Sequence, residues 1–242
     1  MRNLLTDVEG IAVGHAADEQ ARTGVSLIIP DKPAIAAVAC MGGGPGTRET
    51  DALKPENLVH HIDGLVLAGG SVYGLEAASE LTLIMGQAGR GFPTGAALPS
   101  PIIPAAILFD MNNCPANQEA KQWSLDNPPP YRALTHKAYA ACGTNYELGN
   151  VGAGYGAQAG NRKGGLGSAS SLCDDIIVSA MVAVNSLGSV CDGLGNFYAS
   201  YLAQEGDGLP NTPPKNVSAD PMANSKLAFS KTETPDLNNT SI

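Results

Sequence analysis

The stretch from Gly149 to Asn185 constrains this chain most, because it sets a glycine-studded segment, Gly149 to Ser170, in front of an apolar run, Ile176 to Asn185. Each glycine costs ordering entropy, which a fold tolerates where the backbone must turn at positive φ or let another chain or a ligand lie against it. The segment therefore reads as the floor of a binding cleft. Behind it, Ile176-Ile177-Val178-Ser179-Ala180-Met181-Val182-Ala183-Val184 is rich in β-branched residues. The run predicts a central strand buried on both faces, with the amide of Asn185 delivered at its end. There Asn185 either donates a hydrogen bond into the cleft or caps the strand.

The chain has 242 residues, enough for one large single-core domain. Hydrophobic residues make up 43%, charged residues 15% and aromatics 5%, with 29 glycines, so an ordered globule held by close backbone packing is expected. A formal net charge of −9 argues against nucleic acid or an anionic membrane surface as a partner, since either would need basic patches. The N-terminus enters polar sequence without a signal-peptide core, and no run reaches the ~20 apolar residues of a membrane span. The expectation is a soluble, cytoplasmic protein.

Five scattered cysteines (Cys40, Cys114, Cys142, Cys173, Cys191) form no CxxC pair, so neither a disulfide framework nor a metal site is expected. His15, His60, His61 and His136 lack metal-ligand spacing and read as surface or satisfied core residues, with His60 and His61 exposed. Gly152-x-Gly154-x-Gly156 lacks the dinucleotide-binding spacing and no Walker motif exists, so no cofactor is expected.

In chain order, Ile11 to His15, Thr23 to Pro30 and Ala34 to Cys40 read as three strands of a meander. A loop from Gly42 to Asp51 follows. Gly64 to Ala68 reads as a strand leading into the turn Gly69-Gly70-Ser71, and Val72 to Gln87 has helical spacing. Ser71 stands where an N-cap would be, so the free N–H groups of the first turn either receive a carboxylate or oxyanion or form a tight turn without a ligand. Ile102 to Asp110 reads as another buried strand, Tyr131 to about Cys142 as a helix following three prolines. After Asn185 the chain is expected to hairpin through Gly188 toward Val190 and Cys191. From residue 204 to 239 Pro, Asn, Ser and Thr dominate, which reads as an exposed mobile segment.

Several of these blocks share one resemblance. Gly42 to Asp51, Leu67-Ala68-Gly69-Gly70-Ser71-Val72-Tyr73-Gly74, Pro104 to Asp110, Pro129-Pro130-Tyr131-Arg132, Gly149-Asn150-Val151-Gly152-Ala153-Gly154, Lys163 to Ser170 and Val184-Asn185 together resemble the DmpA-type peptidases. That family holds L-aminopeptidase/D-esterases, β-peptidyl aminopeptidases and, more distantly, nylon-oligomer hydrolases. The resemblance covers nearly the whole chain from Leu5 to Val190. It implies an α/β fold of the α-β-β-α sandwich type, shared with the ornithine acetyltransferases and completed by a β-subunit, and a self-cleaving precursor.

By this resemblance Asn239-Thr240 is the cleavage site and Thr240 the nucleophile, its freed α-amino group (pKa about 7.7–8.0) accepting the hydroxyl proton. Asn185 is then the oxyanion donor. Relatives carry a lysine near Gly160; here Asn161 stands there, with Lys163 two residues on, and either takes the electrostatic role. Gly69, Gly70, Ser71, Phe109 and Tyr155 are the expected substrate-binding residues, with Phe109 a pocket wall where some relatives have tyrosine. Residues 1–203 are expected to form the α-subunit core, 204–239 the segment leading to the junction, and 240–242 the start of the β-subunit.

The resemblance implies an amidohydrolase or aminopeptidase acting on a peptide, β-peptide or ω-amino-acid oligomer such as a 6-aminohexanoate oligomer. Its partners would be its own β-subunit, a small amide substrate and further α/β units in a homo-oligomer. The alternatives are acyl transfer of the ornithine-acetyltransferase kind, or an inactive α-type binding remnant.

Overall fold

The computed structural model describes residues 1–113, 121–160, 162–203 and 212–215. Thr240, Asn239 and Asn161 and the segments 204–211 and 216–242 lie outside them.

The chain opens with an antiparallel pair, β1 (Ile11–Asp18) and β2 (Thr23–Pro30), in register from Ile11 opposite Pro30 to Asp18 opposite Thr23. The third expected strand is cut short. β3 is only Ala34–Ile35, and β4 follows at Thr47–Arg48, β5 at His61–Ile62 and β6 at Leu65–Ala68. β3 leaves the main sheet to pair with β5, so no meander of three strands forms. A single turn of 3-10 helix at Ser71–Leu75 precedes α1 (Glu76–Gln87), and β7 is Ala105–Ile107. The strand expected from Ile102 is thus three residues long, because Pro104 has no N–H to give a ladder. α2 spans Tyr131–Ala140.

The main sheet has the order β1-β2-β6-β7-β4, with β6 and β7 parallel and the other neighbours antiparallel. Alternation along the strands gives it two apolar faces. Val25, Leu27, Val66 and Ala68 point to one side, where Ala77, Ala78, Leu81 and Met85 of α1 and Tyr131, Leu134 and Ala138 of α2 close the larger core. The buried positions of α1 follow the i, i+1, i+4, i+8 spacing of one helix face. Ile28, Leu65, Leu67 and Ala106 point to the other side, against Leu108, Ala153, Ala157, Leu166 and Ala183.

The glycine segment is more structured than the sequence suggests. After a 3-10 turn at Gly152–Gly154 come β8 (Gln158–Ala159) and β9 (Arg162–Lys163), a short ribbon, and then β10 (Leu166–Cys173) and β11 (Ile176–Ala183). β10 and β11 form a two-stranded hairpin whose tight turn is helped by Asp174 at φ 52°. The apolar run is therefore not a central strand buried on both faces. Among the described residues β11 pairs with β10 alone, and its side chains stay open, Ile176 67% exposed and Val178 60%. Its apolar character is that of a strand with one covered neighbour where two were expected.

Beyond Asn185, Cys191 bridges to Phe197 in place of a hairpin through Gly188. The described residues thus supply a helix layer, a five-stranded mixed sheet and one hairpin beneath it, an α/β arrangement. No helix among them is long and apolar enough to cross a membrane. His60, His61 and His136 are exposed.

Candidate active site

The structure gathers most of the expected site residues around the end of β7. Leu108 accepts a hydrogen bond from the Ser71 N–H at 3.0 Å and donates its own N–H to Ala68 O at 2.8 Å, which docks the Gly69-Gly70-Ser71 turn on the strand end. The next residue, Phe109, donates its backbone N–H to Asn185 Oδ1 at 3.0 Å. Asn185 is 5% exposed, so this bond fixes the amide plane inside the protein. With Oδ1 accepting from Phe109, Nδ2 is the donor end of this buried amide.

The third residue, Asp110, anchors the cluster. Its Oδ1 accepts the Gly70 N–H at 2.8 Å and Lys121 Nζ at 3.0 Å, and its Oδ2 accepts the Thr23 hydroxyl at 2.7 Å. Thr23 has a single hydroxyl proton, spent on the carboxylate, so the 2.9 Å contact between Thr23 Oγ1 and Tyr131 requires the Tyr131 hydroxyl to donate. Burial, reinforced by the Asp110 charge, pushes the Tyr131 phenol far above its ordinary pKa, which keeps that proton in place. Lys121 also donates to Asp110 O and to Arg22 O, so its three protons are all used. The side chains of this ion pair are 3% and 0% exposed.

The turn at Gly69-Gly70-Ser71 is held by bonds to the surrounding protein. Gly70 sits at φ 78° and Ser71 at φ 53°, and no side-chain cap bond forms, so Ser71 is not an N-cap. The N–H groups of Gly69, Gly70 and Ser71 go to Gly24 O, Asp110 Oδ1 and Leu108 O. These three N–H groups are engaged within the protein. What keeps glycine at 69 and 70 is proximity: a Cβ there would run into Asp110 and Thr23, or into the Tyr131 hydroxyl.

Tyr155 and Lys163 stand beside this cluster, on a polar recess of about 360 Å³ lined also by Glu19, Arg22, Asn113, Asn150, Gln158 and Arg162. The recess borders the Asn185 region on two sides. Ser186 Oγ donates to Gln158 O at 3.3 Å, and Asn113, whose N–H caps Asp110 O at 2.9 Å, donates Nδ2 to Gly156 O at 2.9 Å. The glycine segment thus contributes one wall of a recess, while several of its glycines allow close approach: Gly152 to the side chains of His15 and Ser26, Gly154 to the backbone of Gly165, Gly156 to Arg22 O and the Asp110 side chain.

The Asp110 cluster was not picked out from sequence. Its one signal there is a carboxylate closing an apolar run in a chain with few charges, which alone does not separate a buried anchor from a surface residue. Lys121, Thr23 and Arg22 carried no local signal at all. Among the described residues no group of three or more His, Cys, Asp and Glu could hold a metal ion.

Comparisons with known proteins agree with this architecture. Residues 3–220 match the family described as Peptidase family S58. An uncharacterized aminopeptidase of Mycobacterium tuberculosis is 39% identical over 199 residues, covering 78% of this chain and 55% of the relative. One from Mycobacterium leprae is 36% identical over 214 residues, covering 78% and 54%. The chain therefore spans about half the length of the curated relatives it matches.

Among solved structures, a Burkholderia sp. beta-aminopeptidase superposes with a TM-score of 0.60 at 22% identity, covering 78% of this chain and 54% of that one. The L-aminopeptidase D-Ala-esterase/amidase of Ochrobactrum anthropi, described as a variant of the Ntn hydrolase fold, gives 0.61 at 20% identity, covering 86% and 60%. At these identities the likeness is one of fold.

Proposed function

Since the chain belongs to peptidase family S58, we propose that it is the α-part of an aminopeptidase or amidohydrolase that works through an N-terminal nucleophile and an acyl-enzyme. The observation that supports this reading is the amide of Asn185, buried and oriented through its Oδ1 by the Phe109 N–H, a preorganised group that in this reading turns its Nδ2 to the developing oxyanion. A preorganised donor of this kind contributes about 3–4 kcal/mol to acyl-transfer transition states.

In this reading the Asn239–Thr240 bond is cut by the protein itself, and the freed α-amino group of Thr240 takes the proton from its own hydroxyl as the hydroxyl attacks the substrate carbonyl. The tetrahedral oxyanion is held by Asn185. Collapse expels the amine half of the substrate, and water then releases the acyl half. Lys163 supplies positive charge nearby, and Phe109 and Tyr155 bound the space around the substrate. The substrate is a short amide with a free amine: a peptide, a β-peptide or an ω-amino-acid oligomer.

The β-subunit proposed as partner has a surface to meet. The exposed apolar side chains of β11, Ile176, Val178 and Val182, and its unpaired edge form the kind of face that further strands cover. Intact mass and N-terminal sequencing of the full-length protein test the proposal. Two co-purifying fragments, one beginning at Thr240, are expected, together with release of p-nitroaniline from an aminoacyl p-nitroanilide. A single uncut chain without amidase activity refutes it.

A further inference from the structure

The polar recess beside Asn185 carries more positive charge than the hydrolase chemistry, which uses Lys163 alone, calls for. Arg22, Arg162 and Lys163 line it against one carboxylate, Glu19, in a protein whose net charge is −9. Among the described residues neither Arg162 nor Lys163 forms an ion pair. Arg22 sits at φ 46°, a left-handed conformation that a non-glycine residue adopts at a cost of about 1 kcal/mol or more. The side-chain amides of Asn113 and Gln158 border the same space, and its volume of about 360 Å³ falls at the small end of ligand sites, ~300–1,000 Å³.

We propose that this recess is a carboxylate-binding subsite, so that the favoured substrates are short amides carrying a free carboxylate on the leaving half. The Arg162 guanidinium supplies the paired, planar donors that match a carboxylate, while Lys163 and Arg22, the latter bonded to Asn113 Oδ1 at 3.4 Å, add positive charge. Position supports the pairing of sites. Gln158 is bonded to Ser186, one residue past Asn185, and Asn113 lies four residues past Phe109. A substrate whose scissile carbonyl meets Asn185 therefore has its leaving half within reach of the cations. The subsite rests on the hydrolase reading for its purpose, but not for its existence.

The test separates the two. Binding of N-acetylglycine and of its neutral counterpart N-acetylglycinamide to the full-length protein is measured by calorimetry or saturation-transfer NMR. The acid is expected to bind at least about fivefold more tightly than the amide, as a charge-assisted contact gives. That preference is expected to shrink several-fold in Arg162→Gln, and in the unaltered protein when ionic strength rises from about 0.01 M to about 0.15 M, where the Debye length falls from ~30 to ~8 Å.

Equal affinity for acid and amide, or a preference insensitive both to Arg162→Gln and to salt, overturns the subsite. Hydrolysis is scored separately, on alanylalanine against alanylalaninamide. Selective binding without hydrolysis refutes the enzyme reading and upholds the subsite. Hydrolysis of both at equal kcat/KM, without selective binding, upholds the enzyme and removes the subsite.

Discussion

The Oδ1 of Asn185 accepts the backbone N–H of Phe109 at 3.0 Å, and this bond orients a buried amide. The proposed oxyanion role gives a sharp contrast between two substitutions. Asn185→Ala removes the donor and is expected to lower kcat by about 10²–10³ with KM changed little. Asn185→Asp keeps an acceptor for Phe109, and hence much of the local structure, while placing negative charge where the oxyanion forms. Its kcat is expected to fall at least as far, with a smaller loss of thermal stability than the alanine variant. Steady-state kinetics on an aminoacyl p-nitroanilide, paired with thermal melts, measure both.

The ion pair of Asp110 with Lys121 is expected to matter through its incompleteness when one partner goes. Asp110→Ala leaves a buried ammonium without its carboxylate and the Gly70 N–H and Thr23 hydroxyl without an acceptor, for an expected loss of about 3–5 kcal/mol. Adding Lys121→Met to Asp110→Asn is expected to restore part of what Asp110→Asn alone removes, since the charge left over is then gone. Urea unfolding of the two single variants and the double variant gives the coupling directly.

These residues show where sequence reading runs out. β1, β2, β6 and both helices were legible because each repeats an apolar position at the period of its own backbone, and α2 follows its prolines as expected. Asn185 was legible as the polar end of an apolar run. β11 was misread because periodicity reports that a strand is apolar, not whether a neighbour lies on its second edge. The two alternatives at the Gly69 turn were not separable from sequence for a related reason: which acceptors its N–H groups find is decided by Gly24, Leu108 and Asp110, the last two about 40 residues away. The recess joins Arg22, Asn113 and Arg162 across 140 positions, a proximity that exists only once the chain is folded.

Glycine substitutions divide by what surrounds them. At Gly24 a Cβ would be driven between the carbonyls of Gly152 and Ala16, both backbone, so nothing flexible can give way. Gly24→Ala is expected to cost 3 kcal/mol or more, on the order of the severe overpacking class, or to prevent folding. Gly167, in β10, has nothing within 4 Å of the same position and no positive φ. Gly167→Ala is expected to be neutral or stabilising by up to about 1 kcal/mol, through the lower entropy of the unfolded chain. Soluble yield and melting temperature of the two variants distinguish the cases.

His15 supplies a pH dependence of stability with a definite sign. Its ring packs edge-to-face on Tyr146 with centroids 5.4 Å apart, and among the described residues no side chain hydrogen-bonds either ring nitrogen. Burial, the dominant cause, lowers its pKa from 6.5 to about 4. Between those values the unfolded chain binds a proton that the folded protein refuses, so unfolding takes up protons and stability rises with pH across that window. Lowering the pH from neutrality toward 4 is therefore expected to withdraw on the order of 2 kcal/mol from this group, allowing for its partial exposure. His15→Phe keeps a ring against Tyr146 but has nothing to titrate. The difference in unfolding free energy between the two proteins should be flat above about pH 7 and should move in favour of the phenylalanine variant as pH falls through the window. The carboxylates do not obscure it: Asp192, held at about 2 chiefly by the Asn196 amide, and Asp7, held lower still by Ser170 and the Arg2 N–H, lose their contributions only below about pH 4, and equally in both proteins. A difference that stays constant from pH 7 to pH 4 would mean that His15 already takes up its proton in the folded state.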